Sequence, residues 1–197
     1  MDIDGDSVFE ARKRAKSLGV HANYAVAELD QSPFLCFKSG SFDKVVSYCV
    51  LEHLGYAEEL IKEVHRILRP GGTLVLSVDS FSYRGLPRGF VEMHRRVCSV
   101  RRYYTVKEAE LLLRDGNFHV RESTFLIKSP LSSYLFRVLL SYYFDSVTAG
   151  KCFGLRCFKM LTPVWLLISA LSDLLWGDGQ GGCLLVLHAA KEEPPIR

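Results

Sequence analysis

Apolar positions recur along this chain with two periods, 3.6 and 2, and their alternation sets the architecture. Val8, Ala11, Ala15 and Leu18 fall at helical spacing before Gly19, and Ser7 with Glu10 has the spacing of a capping box, so a helix is predicted from about Ser7 to Leu18. Tyr24 to Ala27 reads as a short strand, LDQSPFLCFKSGS as a loop and Lys44 to Cys49 as a buried strand. A second helix is predicted from Tyr56 to Leu68, with Leu60, Ile61, Val64, Ile67 and Leu68 on its apolar face, and Arg69-Pro70-Gly71-Gly72 stops it sharply. Thr73 to Val78 is almost wholly apolar, as a strand covered on both faces is. Asp79 to Tyr104 reads as a basic loop, Thr105 and Glu108 as the capping box of a helix ending at Gly116, and Phe118 to Ile127 as a strand. From Pro130 to Trp176 the pattern changes to aromatic-rich helical segments, SYLFRVLLSYYF and TPVWLLISALSDLLW, before Cys183 to His188 supplies a last strand.

Strands alternating with helices of this length predict an α/β fold with right-handed crossovers and a mainly parallel sheet. The expected organisation is a core of residues 1–128 and 183–190, a helical insertion or lid at 129–182, and a polar tail at 191–197 that frays. Composition agrees: 197 residues with 48% hydrophobic and 24% charged suit one globular domain. A net charge of +3 is too small to argue for nucleic acid. The six cysteines form no C-x-x-C pair and most lie in apolar stretches, which points to a reducing, cytoplasmic compartment and no metal site. The N-terminus has no apolar signal-peptide core, and the longest apolar runs fall short of the ~18 residues that span a bilayer, so the expectation is a protein that is soluble or lies on a membrane.

In an open parallel sheet, ligands bind beyond the carboxyl ends of the strands. The residues predicted at those ends are Asp2 and Asp4, Glu28 and Asp30, Cys49 to His53, and Asp79 to Phe81. An acid just past a strand can accept both hydroxyls of a ribose, which gives Asp2 a ligand role; the alternative is a turn facing the positive end of the following helix.

The run SGSFDKVVSYCVLEHLGYAEELIKEVHRILRPGGTLVLSV resembles the centre of a class I S-adenosylmethionine-dependent methyltransferase of the type-11 kind. An FD enters a strand, V-L-E-H-L follows it, and after a helix R-x-L-x-P-G-G-x-L leads into the next strand. MDID and AELD are similar to the family's acidic strand ends, and the likeness continues through RRYYTVKEAELLLRDGNFHV. It implies a Rossmann-like three-layer sandwich with an antiparallel last strand, interrupted here by the helical insertion. By the resemblance, Asp2 holds the cofactor ribose, Ile3 packs on adenine, Glu28 and Leu29 sit at the adenine amino edge, and Cys49 and Val50 line the cofactor floor. His53 faces the space between cofactor and acceptor, as a base, an orienting group or a shaper of the pocket wall. The family's first strand and Gly-rich turn would lie about twenty residues upstream of Asp2, so the expectation is an N-terminally truncated version of the fold with two exposed sheet edges.

The resemblance implies methyl transfer to a small-molecule or lipid-linked acceptor. The loop from Phe81 to Tyr104, with six arginines, His94, Tyr103 and Tyr104, suits an acceptor carrying carboxylate or phosphate, or is simply solvated. The aromatic stretch 130–176 fits a lid, a lipid pocket or a peripheral membrane contact. The competing expectation is a noncatalytic methyltransferase-like module that uses this stretch as a partner or membrane surface; in either case a homodimer would repair exposed sheet edges.

Overall fold

A computed structural model describes residues 4–27, 32–148, 152–177 and 181–192. Helix α1 (Gly5–Ser17) starts earlier than its apolar spacing predicts. Its N-cap is Asp4, whose carboxylate accepts from the backbone N–H of Asp6 at 3.2 Å and of Ser7 at 3.0 Å. Ser7 is therefore not a cap: its own hydroxyl donates to Asp4 at 2.6 Å, and a carboxylate at a helix N-terminus outcompetes it. Gly19 ends the helix at φ +67°, a left-handed turn that glycine adopts without strain. No residue of α1 is buried, and at Tyr24 to Ala27 the predicted strand is reduced to a bridge at Val26.

The sheet is built from β1 (Phe42–Tyr48), β2 (Leu68–Asp79), β3 (Phe118–Leu126) and β4 (Leu184–Lys191), in the order β1-β2-β4-β3. β1 and β2 pair in parallel from Lys44↔Thr73 to Tyr48↔Ser77. β4 lies antiparallel between β2 and β3, with Leu187 opposite Leu76 on one side and Ser123 on the other. β1, β2 and β3 therefore run one way and only β4 runs back, so Asp79, Leu126 and Leu184 meet at one edge. The turn Arg69-Pro70-Gly71-Gly72 does not precede β2 but bulges from it. Phe42 pairs with Leu68 and Lys44 next with Thr73, and Gly71 takes φ +72° in the excursion.

Helix α2 (Ala57–Ile67) and helix α4 (Val106–Asp115) cover the sheet. Leu60, Ile61, Val64 and Ile67 of α2 and Leu112 and Leu113 of α4 join Leu74, Leu76, Val78, Leu185 and Leu187 in one core. Gly116 lets the two helices approach, since a Cβ there would meet Ile61 Cγ2 at 2.3 Å. β1, predicted to be buried, has one open face: Val46 is 73% and Tyr48 71% exposed. Its apolar run reflects strand propensity and one packed side, through Val45, not cover on both.

The capping box of α4 forms as predicted. Glu108 N–H donates to Thr105 Oγ1 at 3.3 Å and Thr105 N–H to Glu108 Oε2 at 2.9 Å. Thr105→Ala should cost about 1 kcal/mol, read as a lower urea midpoint at unchanged slope.

The stretch Asp79 to Tyr104 is not one loop, because it contains α3 (Arg88–Val97). Between β3 and β4 the chain forms a hairpin of α5 (Pro130–Thr148) and α6 (Cys152–Trp176), which rises from the sheet edge where Asp79 ends β2.

Candidate functional site

The carboxyl ends of β1 and β2 and the start of the α5–α6 hairpin enclose one buried polar corner. Cys49, just past β1, adopts φ +48° and is held by two bonds from its N–H, to Ser77 O at 3.1 Å and Ser77 Oγ at 3.2 Å. That turn sends Val50 and a short 3-10 turn, Leu51–His53, across the end of the sheet. Val50 packs against the core. Glu52 is fully buried, and its Oε1 accepts from Asp79 N–H at 3.1 Å while its carbonyl accepts from the N–H groups of Arg101 and Arg102. One side chain thus pins the end of β2 and its backbone pins the segment leading to α4.

Three acids share this corner. Ligand atoms of Cys49, Glu52 and Asp79 lie within 4.8 Å of one another. Burial first, then the charges of Glu52 and Asp79, push the Cys49 thiol up to about 12, so it is not a nucleophile at neutral pH. Burial raises Glu52, and burial followed by the Glu52 charge raises Asp79 to about 7, against the pull of His53. Glu52 Oε1 accepts from Asp79 N–H, its buried Oε2 has no hydrogen-bond partner among the described residues, and Cys49 Sγ lies 3.8 Å from Ser77 Oγ.

On the other side of Asp79 stands His94 of α3, buried, with Nε2 3.7 Å from Asp79 Oδ2. That is too long for a hydrogen bond, and burial drives His94 down to about 4. Near neutral pH the pair is therefore an uncharged imidazole beside a half-protonated carboxyl, not a salt bridge. Tyr103 fixes the ring: its hydroxyl donates to Val91 O at 3.2 Å and so accepts from His94 Nδ1 at 3.1 Å, which leaves Nε2 bare toward Asp79. Phe81, at φ +49°, lies 4.4 Å from His94 and 4.9 Å from Tyr103 between ring centroids. Phe136 of α5 and Trp165 of α6 extend this aromatic wall, stacked 6.1 Å apart.

Of the residues expected from sequence, Cys49, Val50 and His53 come together at this edge, and His53 Nδ1 lies 3.4 Å from Ser99 O. Asp2, Ile3, Glu28 and Leu29 lie outside the described residues. The partnership of Asp79 with His94 and Tyr103 was not foreseen, because α3 and the turn at Phe81 create it. Two shallow depressions, one lined by Arg114 and Asn117 and the other by Gly71 and Arg121, sit at the opposite end of the strands, away from this chemistry.

Residues 1–76 match the family model of the methyltransferase domain. No sequence among the curated proteins matches the chain. Among solved structures it is similar to the 4+2 cyclase SpnF, with a TM-score of 0.62 and 15% identity over 98% of this chain and 64% of that one. It is also similar to phosphoethanolamine N-methyltransferase 2 of Haemonchus contortus, solved with phosphomonomethylethanolamine and S-adenosylhomocysteine, at TM-score 0.60 and 19% identity over 98% of this chain and 43% of that one. A third is geranyl diphosphate methyltransferase in complex with its methyl donor SAM, at TM-score 0.57 and 14% identity over 96% of this chain and 66% of that one. The architecture is thus the Rossmann-like methyltransferase fold, and the chain spans less than two thirds of SpnF and under half of the Haemonchus enzyme.

Proposed function

We propose that this chain, whose residues 1–76 match the methyltransferase domain, transfers a methyl group from S-adenosylmethionine to a small-molecule or lipid-linked acceptor. Fold alone does not decide the chemistry, since a cyclase is among the similar structures. The observation that carries the reading is where the family-matched V-L-E-H-L segment sits: Val50 to Leu54 crosses the carboxyl ends of the parallel strands beside Asp79, the place where this sheet type binds ligands.

Cys49 and Val50 would form the cofactor floor there, with Asp2, Ile3, Glu28 and Leu29 supplying the ribose and adenine contacts that the family resemblance assigns them. The cofactor supplies an electrophilic methyl group on a sulfonium. That methyl would be open to in-line displacement by an acceptor oxygen or nitrogen, and the chain's own part would be to orient the acceptor and take the proton it gives up. Asp79, held near 7, is matched to take that proton at neutral pH, whereas His94, held near 4, remains an uncharged orienting group. His53 stands at the same edge as a second candidate. The aromatic wall of Phe81, Phe136 and Trp165 suits an acceptor with an apolar body.

Calorimetric titration of the chain with S-adenosylhomocysteine tests the cofactor half of the proposal. Saturable binding weakened by Asp2→Ala is expected; a folded chain that takes up no ligand would overturn it. With an acceptor in hand, Asp79→Asn should lower kcat by about 10²-fold or more with cofactor affinity kept, and His53→Ala should do the same to a smaller degree. Equal loss of turnover and affinity in either variant would assign that residue a structural role.

A further inference from the structure

The helices of the α5–α6 hairpin are packed inside out. Along α6 the buried positions include Ser169, Ser172 and Asp173, while Val164, Leu166, Leu167, Ile168, Leu171, Leu174 and Leu175 face outward. Leu167 is 61%, Leu175 66% and Leu174 80% exposed, and Trp176 ends the face at 65%. α5 repeats the arrangement: Ser132 and Ser133 are buried while Leu131, Tyr134, Val138 and Tyr142 are exposed. A helix on a core in water does the reverse, turning its leucines in and its serines out. Here Ser129, Ser132 and Ser172 pair with one another and with Asp173, with Ser129 Oγ 2.7 Å from Ser172 Oγ and 2.9 Å from Ser132 Oγ. Ser129, Ser132, Ser172 and Asp173 have internal partners, Ser169 Oγ is left without one among the described residues, and the side chains that water repels are presented outward.

Charge says what covers it. From Ser146 to Ser172 the sequence contains Lys151, Arg156 and Lys159 and no Asp or Glu. A stretch with three cations and, between Asp145 and the buried Asp173, no acid suits a surface that is apolar beneath and negative on top. Among the described residues no helix is long and apolar enough to cross a membrane, so the hairpin would lie on the bilayer, not span it. We propose that the outward face of α5 and α6 docks on an anionic lipid surface, with the leucines of α6 among the acyl chains and the basic stretch at the headgroups. The inner side of the same hairpin carries Phe136 and Trp165 of the candidate site, so docking would bring that site's wall to the membrane interface. The inference stands apart from methyl transfer, since lipid binding needs neither cofactor nor acceptor.

Both tryptophans of the chain, Trp165 and Trp176, lie on α6, so intrinsic fluorescence reports on this hairpin alone. The experiment mixes the full chain with vesicles of pure phosphatidylcholine, or of equal parts phosphatidylcholine and phosphatidylglycerol, and reads sedimentation and tryptophan emission. The chain should sediment with the mixed vesicles, shift its emission to the blue, and bind pure phosphatidylcholine far more weakly. Leu167→Ser with Leu174→Ser should weaken partitioning by about tenfold or more, and these outward positions leave the urea midpoint unchanged. Arg156→Glu with Lys159→Glu, which leaves the apolar face intact, should abolish the preference for phosphatidylglycerol. A folded chain that sediments with neither vesicle overturns the proposal. So does a concentration-dependent dimer that shifts the emission blue without lipid and is unmoved by vesicles, because the covering surface is then a second copy.

Discussion

Asp173→Ala should destabilise the protein by about 2–3 kcal/mol, more than the loss of the Thr105 cap. Asp173 Oδ1 accepts from Lys128 N–H at 3.0 Å, from Ser129 N–H at 2.8 Å and from the Ser132 hydroxyl. Ser129 is the residue before Pro130, and its Oγ accepts Ser132 N–H at 3.1 Å as an N-cap does, so the carboxylate of α6 completes the N-terminus of α5. Removing it strands the Lys128 N–H and leaves the Ser129 N–H only its 3.1 Å bond to Ser132 Oγ, in a place where Ser129 and Ser132 have no exposed surface, and an orphaned buried donor costs about 1–3 kcal/mol. Loss of the charge that faces a helix N-terminus adds to this. Asp173→Asn keeps an acceptor oxygen and should cost roughly half as much. Urea unfolding gives the totals, and hydrogen exchange should show the α5 amides losing protection first. A change within about 0.5 kcal/mol for the alanine variant would show that water takes over those donors.

That network also marks where reading the sequence stops. α2 was legible because Leu60, Ile61, Val64 and Ile67 repeat at helical spacing and Pro70 follows; α4 was legible because Thr105 and Glu108 form the two halves of a local cap. α3 was hidden because only Phe90 and His94 of its ten residues are buried, and a helix with so thin an apolar stripe looks like a basic loop. The inward placement of Ser132, Ser133, Ser169 and Ser172 has no sequence signal, since apolar patterning presumes that outward means water. At the site, Cys49, Val50 and His53 could be named from the family-like run that contains them. The Asp79, His94 and Tyr103 grouping joins three segments through φ-positive turns at Phe81 and Ser99 that no local signal announces.

The same grouping leads to a second large effect, a pair of opposed pH slopes. Asp79 titrates near 7 in the folded chain against 3.8 as its ordinary value, so between about 4 and 7 the native state holds a proton that the unfolded state has released. Stability from this group is fully present below about 4 and is lost as pH rises toward 7. His94 works the other way: it titrates near 4 folded against 6.5 ordinarily, so the unfolded chain binds the extra proton, and stability present above 6.5 is lost as pH falls toward 4. Over about 4 to 6.5 the two slopes oppose each other, and the parent protein should show little pH dependence from this corner. Asp79→Asn removes the falling limb, so its stability relative to the parent should climb with pH; His94→Gln removes the rising limb, so its relative stability should fall with pH. Each slope is bounded by one proton, about 1.4 kcal/mol per pH unit. Urea midpoints of the parent and both variants at a few pH values across this window decide the matter. A relative slope near zero in either variant would show that folding leaves that group's protonation unchanged across this window, and the neutral contact assigned to the pair would be wrong.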